Sequence, residues 1–304
     1  MTQRNLVGAT VAWCTLVLAM PLSAAEFKTN DPVRIGMVSS LFHDIPLPLI
    51  EFLGGPFKTL IKEFTGLDGQ LKVGGDAFEV GKKLADGKLE LAVFHGFEYG
   101  WARQKYPELR PLTIAVSKHR QVRAFLVVRD DSAVQSFSDL RGKDVGFPRK
   151  SKEHSRLFLE NSCAEFGHCS ARAFFGQVQA SANADDALDD ILRGKLQAVV
   201  TDTMSLEEYE RFKPGCYARL KVVKQSEPFP PAVIVYREGA LDADTLKRFR
   251  DGMIGANQSP RGRDMMSMFK MTAFEPVPDD YGQMVAEILR HYPAPEPVEK
   301  VSQK

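Results

Sequence analysis

Three short stretches carry side chains able to do chemistry on a small molecule: Ser151 to Arg156, His95 with Tyr99, and Asp202 with Thr203. The first reads Ser151-Lys152-Glu153-His154-Ser155-Arg156 and opens a helix expected to run to about Phe166. A helix N-terminus presents unpaired backbone N–H groups and a partial positive charge, so it holds a phosphate or carboxylate without special residues. Ser151, His154 and Ser155 add donors there, and Lys150, Lys152 and Arg156 add charge. The plainer alternative leaves the lysines solvated and makes Ser151 an N-cap. Glu153 counts against an anion unless it turns away or completes the cap. His95 and Tyr99 follow an apolar run, where Phe97 and Trp101 are available for packing and the polar pair for a cleft. Asp202 and Thr203 end another such run; a carboxylate there suits an amine on a ligand, or caps the helix that begins near Ser205. Ser39 and Ser40 close the first apolar run and are placed to bond the same ligand, with Phe42 and His43 just beyond.

Other chemistries are less well supported. His43, His95 and His154 with Asp202 have the ligand types of a tetrahedral zinc site, but no ligand spacing points to a metal. Histidines that are half-positive near neutral pH suit an anion as well. No G-x-S-x-G elbow, H-E-x-x-H helix, Walker loop or dinucleotide glycine fingerprint occurs, so the expectation is neither an enzyme nor a cofactor protein.

These stretches need elements that bring them together, and the chain writes one such element twice. Leu84 to Phe94 reads L-A-D-G-K-L-E-L-A-V-F and Ile191 to Thr201 reads I-L-R-G-K-L-Q-A-V-V-T. Each is a helix end, a glycine, and an apolar strand running into a polar loop, which predicts two similar α/β lobes. In open parallel sheets the ligand sits beyond the carboxyl ends of the strands, so His95 and Asp202 would face one cleft. Further strands are expected at Val33 to Met37, from Val73, at Leu112 to Val116, Arg123 to Val128, Asp144 to Phe147 and Ala232 to Tyr236, with helices near Leu49 to Phe64, Ala77 to Ala85, Ala184 to Leu192, Ala240 to Ile254 and Tyr281 to Leu289. The chain would cross between lobes near Ser117 to Arg120 and return through Glu227-Pro228-Phe229-Pro230-Pro231. That puts residues 26–119 and 231–292 in one lobe, 120–230 in the other, and leaves a frayed Pro- and charge-rich tail at 293–304.

The ends and the composition set the compartment. Arg4, the apolar run Leu6 to Met20 and the small residues of Pro21 to Ala25 read as a signal peptide cleaved after Ala25; an uncleaved anchor would need a run of roughly 20 residues. The 304-residue chain has a formal charge of +1, which argues against broad capture of nucleic acid or anionic membrane. Cys163 and Cys169 lie close together in an exported chain and are expected to form a disulfide, leaving Cys216 as a buried or inert thiol.

The run Leu84 to Tyr99, the stretch Phe125 to Ser132 (F-L-V-V-R-D-D-S) with S-F-S-D-L-R-G-K at Ser136 to Lys143, and P-A-V-I-V-Y-R at Pro231 to Arg237 resemble the phosphate/phosphonate family of periplasmic solute-binding proteins. The resemblance covers nearly all of the mature chain. It implies an α/β type II periplasmic binding protein, two lobes joined by two hinge strands, closing on a small anion such as phosphate, phosphite or a phosphonate. It also implies a monomer that serves an inner-membrane ABC permease or, alternatively, presents its closed form to a sensor receptor. The pattern departs from the family at Lys152-Glu153-His154-Ser155-Arg156, where phosphonate binders typically carry Ser-Thr-Ser-Gly, so phosphonate itself is in question there.

Overall fold

In a computed structural model, residues 32–42, 47–149, 151–167 and 170–295 are described. The expected signal peptide, His43, Lys150, Cys169 and most of the expected tail, and with them the expected Cys163–Cys169 pairing, lie outside the described residues.

The doubled Gly-Lys-Leu motif shows how each lobe is built. Helix α1 spans Leu47–Thr65. Helix α2 (Ala77–Ala85) is started by Asp76, whose carboxylate accepts from the N–H of Phe78 and Glu79 at 2.9 and 2.8 Å. It ends two residues before Gly87, whose φ of 71° is left-handed and suits glycine. Leu89 then packs onto the strand β1 (Val33–Met37): a Cβ at Gly36 would sit 2.5 Å from Leu89 Cδ1. The strand β3 (Leu91–Phe94) follows at once. In the second lobe the same steps recur. Helix α6 (Ala184–Leu192) is capped by Asn183, turns at Gly194 with φ 74°, and brings Leu196 to 2.7 Å of where a Cβ on Gly146 would lie, before the strand β8 (Ala198–Asp202).

Each lobe is a sheet covered on both faces. The first sheet has the order β11-β4-β10-β3-β1-β2, with β2 at Gly69–Val73, β4 at Leu109–Val116, β10 at Ala232–Arg237 and β11 at Ala273–Pro276. The second has the order β7-β6-β8-β5-β9, with β5 at Ala124–Arg129, β6 at Asp144–Pro148, β7 at Gln177–Ser181 and β9 at Leu220–Gln225. β1 pairs parallel with β2 and β3, and β6 parallel with β7 and β8, whereas β10 and β5 enter antiparallel. Apolar clusters flank both sheets, one holding Phe94, Ile114 and Val233, another Ile35, Leu60 and Phe249, and two more around Leu126 and Val199.

The chain passes from lobe to lobe between β4 and β5 and back between β9 and β10. The passages are stitched together at Val122 and Phe229, whose backbones exchange hydrogen bonds of 3.4 and 2.8 Å. Helix α11 (Tyr281–His291) completes the first lobe. No helix among the described residues is long and apolar enough to cross a membrane. One sequence expectation is corrected in place: Val73 ends β2 rather than opening a strand, and β7, β9 and β11 carry no expectation at all.

Candidate functional site

Three strands end at the gap between the lobes, and each hands its chain to a helix N-terminus. Beyond β3, His95 is the residue before helix α3 (Gly96–Lys105). Beyond β6, Lys152 is the residue before helix α4 (Glu153–Ala164). At the end of β8, Asp202 caps helix α7 (Thr203–Phe212), its carboxylate accepting from the Ser205 N–H at 2.9 Å.

A cavity of about 210 Å³ lies between these ends, walled by His95 and Lys270 from the first lobe, Lys152 and His154 from the second, and Phe229 from the return passage. Its aromatic lining is continuous. His95 stacks on Phe97 with centroids 5.4 Å apart, Phe97 meets Phe229 edge-on at 5.7 Å, and His154 tilts against Phe229 at 5.2 Å. Nε2 of His95 and of His154 are both buried with no hydrogen-bond partner among the described residues. A buried polar atom without a partner costs free energy, which makes these two nitrogens candidate contacts for a ligand.

Burial sets the charge of these rings. It pushes His95 down to about 4, against the opposing pull of Glu153. Burial also pushes His154 down, with Asp202 opposing and Lys152 and His95 adding to the fall. Both are neutral at physiological pH, which corrects the expectation of half-positive histidines: they offer an N–H or a lone pair, and the positive charge comes from Lys152 and Lys270. Burial alone would raise the Asp202 carboxyl, but His154 once protonated in acid, Lys152 and the Ser205 N–H hold it below its ordinary value.

Two further cavities adjoin. One, of about 340 Å³, is lined by Ser151, Thr201, Asp202, Ser205 and Lys270, with the Thr201 hydroxyl buried and unpartnered among the described residues. The other, of about 460 Å³, is lined by Ser40, Asp76, Glu98, Glu153 and Arg156. There the Ser40 hydroxyl reaches both Glu98 carboxylate oxygens at 2.8 Å, and the His95 N–H reaches one at 3.4 Å. Burial pushes the Glu98 carboxyl up to about 7, with the Ser40 bond opposing. A larger hollow of about 1080 Å³ belongs to the second lobe alone and touches the expected set only through Arg156.

The structure therefore brings His95, Lys152 and His154 to one cavity and sets Ser151 and Asp202 beside it. Ser155 is 1% exposed, with its hydroxyl unpartnered among the described residues. The other expected contacts are engaged elsewhere. Ser39 donates to the Gly75 carbonyl at 3.1 Å, and Ser40 to Glu98. Arg156 forks onto Glu153, its Nε 3.0 Å from Oε2, because the two stand one turn apart on α4. The Thr203 hydroxyl accepts the Arg123 N–H at 2.8 Å and so ties the first passage. Tyr99 is 1% exposed and stacks on Tyr281 at 6.2 Å in the first lobe's core, where Phe97 was expected to do the packing and Tyr99 to face the cleft. Among the described residues no group of three His, Cys, Asp or Glu side chains is placed to hold a metal, and His43 lies outside them. Sequence reasoning missed Glu98, Phe229, Thr201 and Lys270. Glu98, Phe229 and Thr201 stood in segments the sequence already marks, but nothing local in the sequence marks Lys270.

A family profile described as ABC transporter, phosphonate, periplasmic substrate-binding protein matches residues 53–281. The chain belongs to this family. Its members bind a small ligand outside the cytoplasm and work with an ABC permease, and its fold is that of a type II periplasmic binding protein. Solved structures with similar folds include a Xanthomonas citri protein bound to ATP, at TM-score 0.57 and 17% identity, covering 86% of this chain and 96% of that one. A binding-protein component of an ABC phosphonate transporter from Pseudomonas aeruginosa aligns at TM-score 0.55 and 14% identity, covering 86% and 85%. PhnD1 from Prochlorococcus marinus, in complex with methylphosphonate, aligns at 0.54 and 13%, covering 85% and 97%. A search of curated protein sequences finds no match.

Proposed function

We propose that this periplasmic substrate-binding protein captures a small phosphorus oxyanion, phosphate or a short phosphonate, between its lobes and presents the closed form to its permease. One observation carries the reading: a single cavity of about 210 Å³ takes a buried, unpartnered imidazole Nε2 from each lobe, with Lys152 and Lys270 in its wall. The size is part of the argument. Sites for drug-sized ligands run from about 300 to 1,000 Å³, so the methylphosphonate held by the Prochlorococcus protein is a nearer guide to the ligand than the ATP held by the Xanthomonas one. The α4 N-terminus adds backbone N–H groups and a partial positive charge.

Binding couples to closure because the closed state alone lets one ligand touch His95 and His154 together. A thermal-shift screen with inorganic phosphate, methylphosphonate, sulfate and amino acids tests the reading. A probe at a hundredfold its Kd stabilises the protein by about 2.7 kcal/mol. The expected result is a shift with phosphate or methylphosphonate that shrinks in His95→Ala and in His154→Ala, each substitution weakening binding roughly tenfold to a hundredfold by removing one bond to a charged ligand. A shift with amino acids alone would overturn it.

A further inference from the structure

Among the described residues Lys270 is the non-glycine residue with a left-handed backbone, at φ 55°. It follows helix α10 (Pro260–Ser267). Its N–H bonds the Ser267 carbonyl at 2.9 Å, and the Met271 N–H bonds the Met266 carbonyl at 3.1 Å, closing the helix end in a turn whose left-handed place is usually glycine. Any side chain there costs free energy that glycine would spare. The neighbours hold the turn regardless. Phe269 meets Phe57 edge-on at 5.6 Å, and Thr272 donates from its backbone to the Val116 carbonyl at 2.8 Å and from its hydroxyl to the Ser117 carbonyl at 2.7 Å.

Lys270 walls the 210 Å³ cavity, and it is also the first-lobe member of the 340 Å³ cavity, whose other walls come from the second lobe. Its ammonium has no ion pair among the described residues. The polar atoms sharing these walls include His95 Nε2, His154 Nε2 and the Thr201 hydroxyl, each buried and unpartnered.

We propose that Lys270 is the first lobe's cationic contact to the bound oxyanion, meeting Lys152 and the α4 N-terminus of the second lobe on the same ligand. The assignment rests on the anion reading above and sharpens it: with both imidazoles neutral, two ammonium groups suit a doubly charged oxyanion. Lys270 is then a specificity-determining residue, kept in a strained backbone position because its charge is needed in the gap.

The test separates affinity from stability, using inorganic phosphate and methylphosphonate as probes in calorimetric titrations. Lys270→Gly relieves the backbone strain, so its Tm without probe is expected to be no lower than wild type, while its Kd for both probes rises at least tenfold. Lys270→Gln, which keeps the bulk and loses the charge, is expected to show the same loss, and Lys270→Arg to stay within a few-fold of wild type. Lys270→Gln and Lys270→Gly binding both probes within twofold of wild type would overturn the assignment while leaving the anion reading in place. A wild-type protein that binds neither probe removes the anion reading, and this assignment with it.

Discussion

In the first lobe β3 lies between a parallel β1 and an antiparallel β10, and in the second β8 lies between a parallel β6 and an antiparallel β5. The packing repeats with the topology, since Leu89 covers Gly36 as Leu196 covers Gly146. The residues just beyond the strands do not repeat. The equivalent position after β3 is the imidazole of His95 and after β8 the carboxylate of Asp202, which accepts from its own helix. The scaffold is thus duplicated while the chemistry is divided. The first lobe supplies His95 and Lys270; the second supplies Lys152, His154 and a helix N-terminus, together with a carboxylate that tempers them.

The largest expected break between the lobes is their response to acid. His95 and His154 are depressed below their unfolded value of about 6.5, so the stability tied to each neutral ring is present above that value and is lost as pH falls below it. Asp202, also depressed, loses its contribution as pH falls further. Glu98 has the opposite sign: raised to about 7, it contributes fully below its unfolded value near 4.5 and loses that contribution as pH rises toward 7. Glu98 therefore offsets His95 within the first lobe, whereas His154 has no such offset in the second. Acidification from pH 7 to 4 is expected to destabilise the second lobe more than the first. Hydrogen exchange followed against pH would show β6 and β8 amides opening before those of β1 and β3, and Glu98→Gln would bring the first lobe to the same acid sensitivity. Simultaneous opening in the wild-type protein would contradict this division.

The shared packing makes a prediction of matched effects. Gly36→Ala and Gly146→Ala each drive a methyl into the covering leucine, and each is expected to cost about 1 to 3 kcal/mol in denaturant unfolding, the two values agreeing within about 1 kcal/mol. A large disparity would mean that the doubled motif is repeated in sequence but not in mechanics.

The smallest expected effect probes the divided caps. Asp202→Asn keeps a good N-cap, so stability should change by well under 1 kcal/mol. Removing the negative charge beside the cavity is expected to tighten phosphate binding a few-fold in titration calorimetry. Weaker binding would instead show that Asp202 receives a proton or an ammonium group from the ligand.

The parts of the fold that were legible in the sequence are those buried on both faces. β3 and β8 are buried along their whole length, so they read as short apolar runs and pointed to the two-lobe architecture at once. The misread or missed strands β2, β7, β9 and β11 are the four sheet edges. Their burial is partial and mixed, and a strand with one open side needs no apolar pattern to hold it. Among the residues at the candidate site, the positions of His95, Lys152, His154 and Asp202 were legible because each stands at a strand-to-helix junction, which sequence marks. Tyr99 was misplaced because residues three to four apart on a helix share a face, and the sequence does not say that α3 turns Tyr99 toward α11.

By itself, then, the sequence determined two α/β lobes, the strand ends that border the cleft, and the likeness to phosphonate-binding proteins, all of which rest on local apolar runs, glycines and caps. Only the tertiary structure decided which polar groups remain available to a ligand. Thr203 is taken by Arg123 and Ser40 by Glu98, while two imidazoles stay unpartnered among the described residues and Lys270 arrives from far along the chain. Those outcomes depend on which side chains meet across long stretches of sequence, 58 residues where Ser40 meets Glu98 and 155 where Thr272 meets Ser117, and no local pattern encodes such meetings.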